Sequence, residues 1–160
     1  MIDFATWLSG TSLSLSIQNE LWVIPTLQSI HIIAIAAVVS SVLFINLRLL
    51  RVADRNHSVL ETVQRFLPWL WTGLIILFLT GATLVVGEPL RELSSVPFWI
   101  KMALIVCGII LTTWFQRSLS TEYAAWDAGR SSGRIRMFAI ANLVIWVAII
   151  VAGRLIAYVY

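Results

Sequence analysis

The 160-residue chain is poor in charge, with Asp, Glu, Lys and Arg together making up 12% of it, against about 25% in an ordinary soluble domain. It has a single cysteine, Cys107, inside an apolar run. An internal disulfide and a Cys-x-x-Cys-His haem attachment are therefore excluded, and any cofactor is held without a covalent bond. Also missing are a serine nucleophile motif, a His-Glu-x-x-His zinc signature, a glycine-rich dinucleotide loop and paired catalytic carboxylates, which disfavours hydrolytic chemistry. Residues 1–20 lack a basic n-region and a small-residue cleavage site, so this segment is expected to stay on the chain. No 20–50-residue repeat and no low-complexity tract is present.

What is abundant is apolar surface: 59% of the residues are hydrophobic and the mean hydropathy is +0.91. A bilayer-spanning helix takes about 20 mostly apolar residues, so four spans nearly exhaust this inventory and leave nothing for a second domain. The runs lie at about 21–47, 66–86, 96–115 and 137–158. The expected fold is all-α, an integral membrane antiparallel four-helix bundle forming one transmembrane domain over 1–160, with consecutive spans as neighbours. The net charge of +3 serves the lipid surface rather than nucleic acid. Small residues such as Gly73, Gly81 and Gly108 suit close helix approach, while Asn46, Gln64 and Asn142 suit hydrogen bonds between spans.

Arginines set the expected orientation. Arg48, Arg51, Arg55 and Arg65 follow the first span, and Arg117, Arg130, Arg134 and Arg136 follow the third, whereas the opposite side has Arg91 alone in a loop. Cytoplasmic connections retain positive charge, so both termini should face outward, in a bacterial plasma membrane. Phe4, Trp7, Leu8 and Leu15 are read as the apolar face of a short interfacial helix, with Asp3, Ser12 and Ser14 turned outward. The stretch Gly129, Ser131, Ser132, Gly133 reads as a solvated connection. Asp3, Glu20, Glu88 and Glu92 read as solvated charges on the outer face.

Four polar residues stand out because the spans are otherwise so apolar. His31 lies nine residues past Trp22, roughly 13 Å below the outer interface at helical rise, where an imidazole is expensive. Two readings are open for it: a haem-iron ligand or proton relay, and a neutral histidine fastening two helices. Gln28, three residues earlier on the same face, either orients the imidazole or bridges helices. Lys101 and Arg154 lie roughly 3 Å and about 6 Å beneath the same interface. Singly each fits a snorkelling cation. Together with His31, roughly 7 to 10 Å deeper, they match the separation of haem propionates from haem iron. A vertical haem with its iron on His31 and its carboxylates against Lys101 and Arg154 follows. His57 lies in the first cytoplasmic loop, too far for a bis-histidine haem within one chain, and Met102 is about one turn too shallow, so the sixth iron position stays open. Trp146, at mid-depth in span four, reads as a packing residue.

Three segments carry a resemblance that covers essentially the whole chain: LQSIHIIAIAAVVSSVLFINLRLL (27–50), VPFWIKMALIVCGIILTTW (96–114) and ANLVIWVAIIVAGRLIAYV (141–159). They resemble a bacterial family of four-span proteins of unknown function. More distantly, the histidine in span one and the lysine early in span three resemble the haem-containing, oxygen-independent protoporphyrinogen oxidases and the membrane domain of copper-resistance protein D. The oxidase resemblance implies haem b at His31 with Lys101 linked to activity. The expected function is therefore a haem-b-binding membrane protein handling electrons or a porphyrin in the outer half of the bilayer. A noncatalytic membrane subunit or scaffold, and copper or small-solute passage, are the alternatives. The expected partners are the lipid bilayer and either further copies of the chain or a larger membrane complex, not nucleic acid.

Overall fold

The computed structural model describes residues 2–53, 56–119 and 133–156. Seven helices and no strand are found among them: α1 (Ile2–Ser9), α2 (Ser12–Asn19), α3 (Val23–Leu49), α4 (Val59–Gly87), α5 (Pro89–Leu93), α6 (Val96–Leu119) and α7 (Gly133–Leu155). The helices α3, α4, α6 and α7 are each long and apolar enough to cross a membrane, and they pack together as an all-α bundle. Their positions agree with the hydropathy runs except for α4, which starts at Val59 rather than Phe66. The earlier start has a local cause: the Ser58 hydroxyl accepts from the Glu61 amide while the Glu61 carboxylate accepts from the Ser58 amide. This capping box satisfies two otherwise orphaned donors at the helix start. Pro68 then sits inside α4, where it deletes one intrahelical hydrogen bond without ending the helix.

At the other end of the same connection, α3 stops in a Schellman arrangement. The Val52 amide donates to the Leu47 carbonyl and the Arg51 amide to the Arg48 carbonyl, both at 3.0 Å, with Arg51 at φ 59°. Glycine is the usual residue at this left-handed position. Arg48 is buried, and its Nε donates to the His57 carbonyl at 2.7 Å, stapling the α3 end to the start of α4.

The core has two layers. Val38, Val42, Leu70, Trp146 and Ile149 form one. Ile45, Leu49, Val59, Val63, Phe115, Phe138 and Ala139 form the other, in which the Phe115 and Phe138 rings stack at 4.0 Å. Gly73 explains the tight α3–α4 seam, because a Cβ there would lie 2.6 Å from Val38 Cγ2. Gly108 faces Ile145 and the Trp146 ring of α7, where an added Cβ would lie at ordinary contact distance, 3.5–3.7 Å. Trp146 is buried in the packing role expected of it.

Two expectations about arrangement are corrected. Consecutive spans are not always neighbours: α3 packs along α4 and also against α7, α7 packs along α6, and α4 and α6 have almost no backbone contact. The short α5 turns the chain away from α4 between them, and α1 packs on it. The N-terminal segment also forms two helices, broken at Gly10, with Thr11 capping α2. Its orientation is reversed for Ser14, which is fully buried and donates to the Val86 carbonyl at 2.7 Å. Phe4, Trp7 and Leu15 are exposed and Leu8 is half-buried. A hydroxyl near the end of α4 satisfies a carbonyl that has no intrahelical donor, which outweighs the apolar pattern. Gln64 is exposed and bridges no spans. Arg55, Arg130 and residues 129–132 lie outside the described residues, and Gly133 opens α7.

Candidate functional site

His31, Thr80 and Lys101 lie toward the end of the bundle that carries α1, α2 and α5. His31 is roughly 12 Å along α3 from Val23, and Thr80 roughly 10 Å along α4 from Gly87, at 1.5 Å per residue. The helices run antiparallel, so the two meet: His31 Nδ1 and Thr80 Oγ1 are 2.7 Å apart. Thr80 Oγ1 also donates to the Ile76 carbonyl at 2.7 Å. A hydroxyl has one proton, so Thr80 can give it either to the Ile76 carbonyl or to His31 Nδ1. With the proton on the Ile76 side, Thr80 accepts from an Nδ1–H of His31, and the imidazole takes the tautomer whose Nε2 carries the lone pair.

Thr80 holds the position that sequence reasoning offered to Gln28. Gln28 is half-buried one turn before His31 and takes no part in the Nδ1 bond. Nothing in the sequence marks Thr80, which is 49 residues from His31. Beside it, Gly81 leaves room at the other edge of the ring: a Cβ there would lie 3.6 Å from His31 Cε1.

Lys101, on the second turn of α6, is half-buried and lies within electrostatic reach of both His31 and Glu92. Its stem and ammonium run along Gly153 of α7, where a Cβ would meet Cδ, Cε and Nζ at 3.8 Å. The glycine gives the lysine its track, and Arg154 is the next residue, exposed at the end of α7. The structure thus brings His31 and Lys101 into one neighbourhood on different helices, with Arg154 adjoining. Met102 is partly exposed on α6.

Two acids expected to be free in solvent are engaged instead. Glu88 is paired with Arg91 at 2.6 Å. Glu92 is half-buried in α5, and burial pushes its carboxyl up, with the cations of Lys101 and Arg91 opposing. Trp99 fastens this region by donating its indole N–H to the Leu93 carbonyl at 3.1 Å. Among the described residues no three His, Cys, Asp or Glu side chains come together as a metal-ligand cluster.

The chemical capacity of the site is therefore one imidazole nitrogen with a directed lone pair, one half-buried ammonium and one guanidinium at the surface. Comparison with curated proteins and with solved structures finds no match. The family model described as "Family of unknown function (DUF6644)" matches residues 19–159, nearly the whole chain. The chain belongs to that family.

Proposed function

We propose that the protein is a haem-b-binding protein of the bacterial plasma membrane, with both termini outside, working on electrons or a porphyrin in the outer half of the bilayer. The observation that carries this reading is the His31–Thr80–Ile76 chain of hydrogen bonds, which, with the Thr80 proton on the Ile76 carbonyl, leaves Nε2 as the lone-pair nitrogen. A histidine that ligates a metal through one nitrogen almost always donates its other N–H to a fixed acceptor. The residues present fit the group on this count, and Lys101 and Arg154 supply cations for two propionates. Gln28 borders the imidazole from one turn away. Haem, when bound, supplies one-electron redox chemistry. The chain's own part is to hold the imidazole neutral and oriented through Thr80, to keep space beside it at Gly81, and to present the ammonium along Gly153. The distant resemblance to oxygen-independent protoporphyrinogen oxidases, through His31 and Lys101, points the same way.

The same His31–Thr80 bond also favours a second reading, in which it fastens α3 to α4 in a noncatalytic membrane subunit. One experiment separates the two. Protein purified without added haem should show a Soret band that His31→Ala abolishes while the bundle still extracts as a monodisperse species. A colourless wild-type protein overturns the haem reading and leaves the fastening.

A further inference from the structure

A cavity of about 20 Å³ lies away from His31, where α3, α4, α6 and α7 converge. Its polar lining is Asn46 of α3, Thr112 and Gln116 of α6, and Asn142 of α7. Thr112 is 7% exposed and Asn142 4%. Two buried atoms on this lining have no hydrogen-bond partner, Thr112 Oγ1 and Asn142 Oδ1.

The orientation of Thr112 is unusual for this bundle. Ser41, Thr62 and Thr80, the other buried hydroxyls of the long helices, each donate to the carbonyl one turn earlier. Thr113, the very next residue, donates to the Ile109 carbonyl at 2.9 Å. That local bond is the cheap way to place a hydroxyl in a membrane helix, and Thr112 forgoes it. The Asn142 amide spends its N–H on Asn46 Oδ1 at 3.5 Å, while Asn46 donates to the Val42 carbonyl at 2.7 Å. The acceptor oxygen of Asn142 is left over. Two unsatisfied polar atoms in a low-dielectric interior each carry an uncompensated desolvation cost.

We propose that this cavity binds one ordered water molecule, hydrogen-bonded to Thr112 Oγ1 and Asn142 Oδ1. The volume suits that ligand, since a single water needs roughly 10–15 Å³ of such space and two or more polar partners. A larger solute does not fit. The water donates to Asn142 and completes the Thr112 hydroxyl, tying α6 to α7 and, through the Asn142–Asn46 bond, to α3.

The test is unfolding by SDS in mixed micelles, read by helical circular dichroism. Thr112→Val keeps the shape and deletes the hydroxyl. With a bridging water it lowers the folded-to-unfolded ratio roughly fivefold, whereas Thr112→Ser keeps most of the wild-type ratio. Thr112 and Asn142 make no bond to each other, so a shared water makes the stability lost in the double variant of Thr112→Val and Asn142→Leu smaller than the sum of the single losses. A dry cavity gives the opposite result: Thr112→Val is silent or stabilising. If Asn142→Leu fails to fold, the sign of the Thr112→Val effect decides. Equal stability in sodium chloride and choline chloride is expected, and stabilisation specific to sodium would replace the water with a cation. In an experimental density map that shows ordered solvent, a peak within hydrogen-bond reach of both atoms is expected, and an empty cavity overturns the proposal.

Discussion

The His31 imidazole and the Thr80 hydroxyl, 2.7 Å apart, make the polar crossing between α3 and α4 at the end of the bundle near α5. Thr80 also lies within hydrogen-bond reach of the Ile76 carbonyl, and which of the two contacts takes its single proton decides which imidazole nitrogen is basic. A pair of neutral residues thereby acquires a definite chemical face without any charge being buried.

Thr80→Val removes the acceptor and keeps the shape. The Nδ1–H is then unpaired, and both tautomers become accessible. Stability should fall by about 1–2 kcal/mol in the SDS titration. The haem-to-protein ratio should fall further than stability alone accounts for, and Thr80→Ser should restore both. An unchanged Soret band in Thr80→Val would show that the tautomer is not set by this bond.

Lys101 and Arg154 separate a cofactor cradle from two snorkelling cations. Snorkelling side chains tolerate exchange of Lys for Arg or Arg for Lys, because either head reaches water. Propionate partners do not, since a planar fork and a point charge are not equivalent. Lys101→Met and Arg154→Met should each lower the haem-to-protein ratio, by a few kcal/mol of retention at most, roughly, since exposure weakens a pair, while extraction as a monodisperse bundle is unchanged. Full haem content in both variants would remove the cations from the site.

Gly73→Ala tests the α3–α4 seam. The new methyl would meet Val38 Cγ2 at 2.6 Å, and valine is stiff at χ1, so the helices must part. A loss of about 1–3 kcal/mol is expected. Gly133→Ala, with nothing within 4 Å of the added carbon, serves as the matched control and should cost nothing.

Glu92 predicts a pH dependence. Its carboxyl is held above the usual value near 4.5, so the folded state favours the protonated form. The stabilisation this brings is complete below that usual value and is lost as the pH climbs through the higher folded one. Glu92→Gln stays neutral throughout and should flatten the thermal midpoint against pH on the alkaline side of 4.5. Equal slopes for wild type and variant would place the carboxyl in bulk water.

The four long helices were legible in the sequence because a bilayer asks for a property, sustained hydropathy, that is summed over about 20 residues and survives local exceptions. The early start of α4 was not read, because the apolar run begins only at Phe66 while the helix is started by the polar Ser58–Glu61 capping box ahead of it. His31, Lys101, Asn46 and Asn142 announced themselves as polar residues within apolar runs, though not which of them would meet. Their partners did not: Thr80 is an ordinary threonine until α3 and α4 are docked, and Gly153 matters only because a lysine from another helix lies on it. Glu92 read as a solvated acid because burial in a five-residue turn leaves no periodic trace. Ser14 read as outward because an amphipathic pattern records apolar faces and cannot record a distant carbonyl in need of a donor.

That carbonyl has a consequence for how the molecule is put together. Ser14 and Val86 are 72 residues apart, and α1 and α2 rest on α5 and the end of α4. During synthesis the first two helices emerge long before their docking surface exists. They can settle only after α4 has traversed the bilayer and delivered Val86 and α5 to the side where they wait. The N-terminal segment therefore has no complete docking surface until both α4 and α5 are in place.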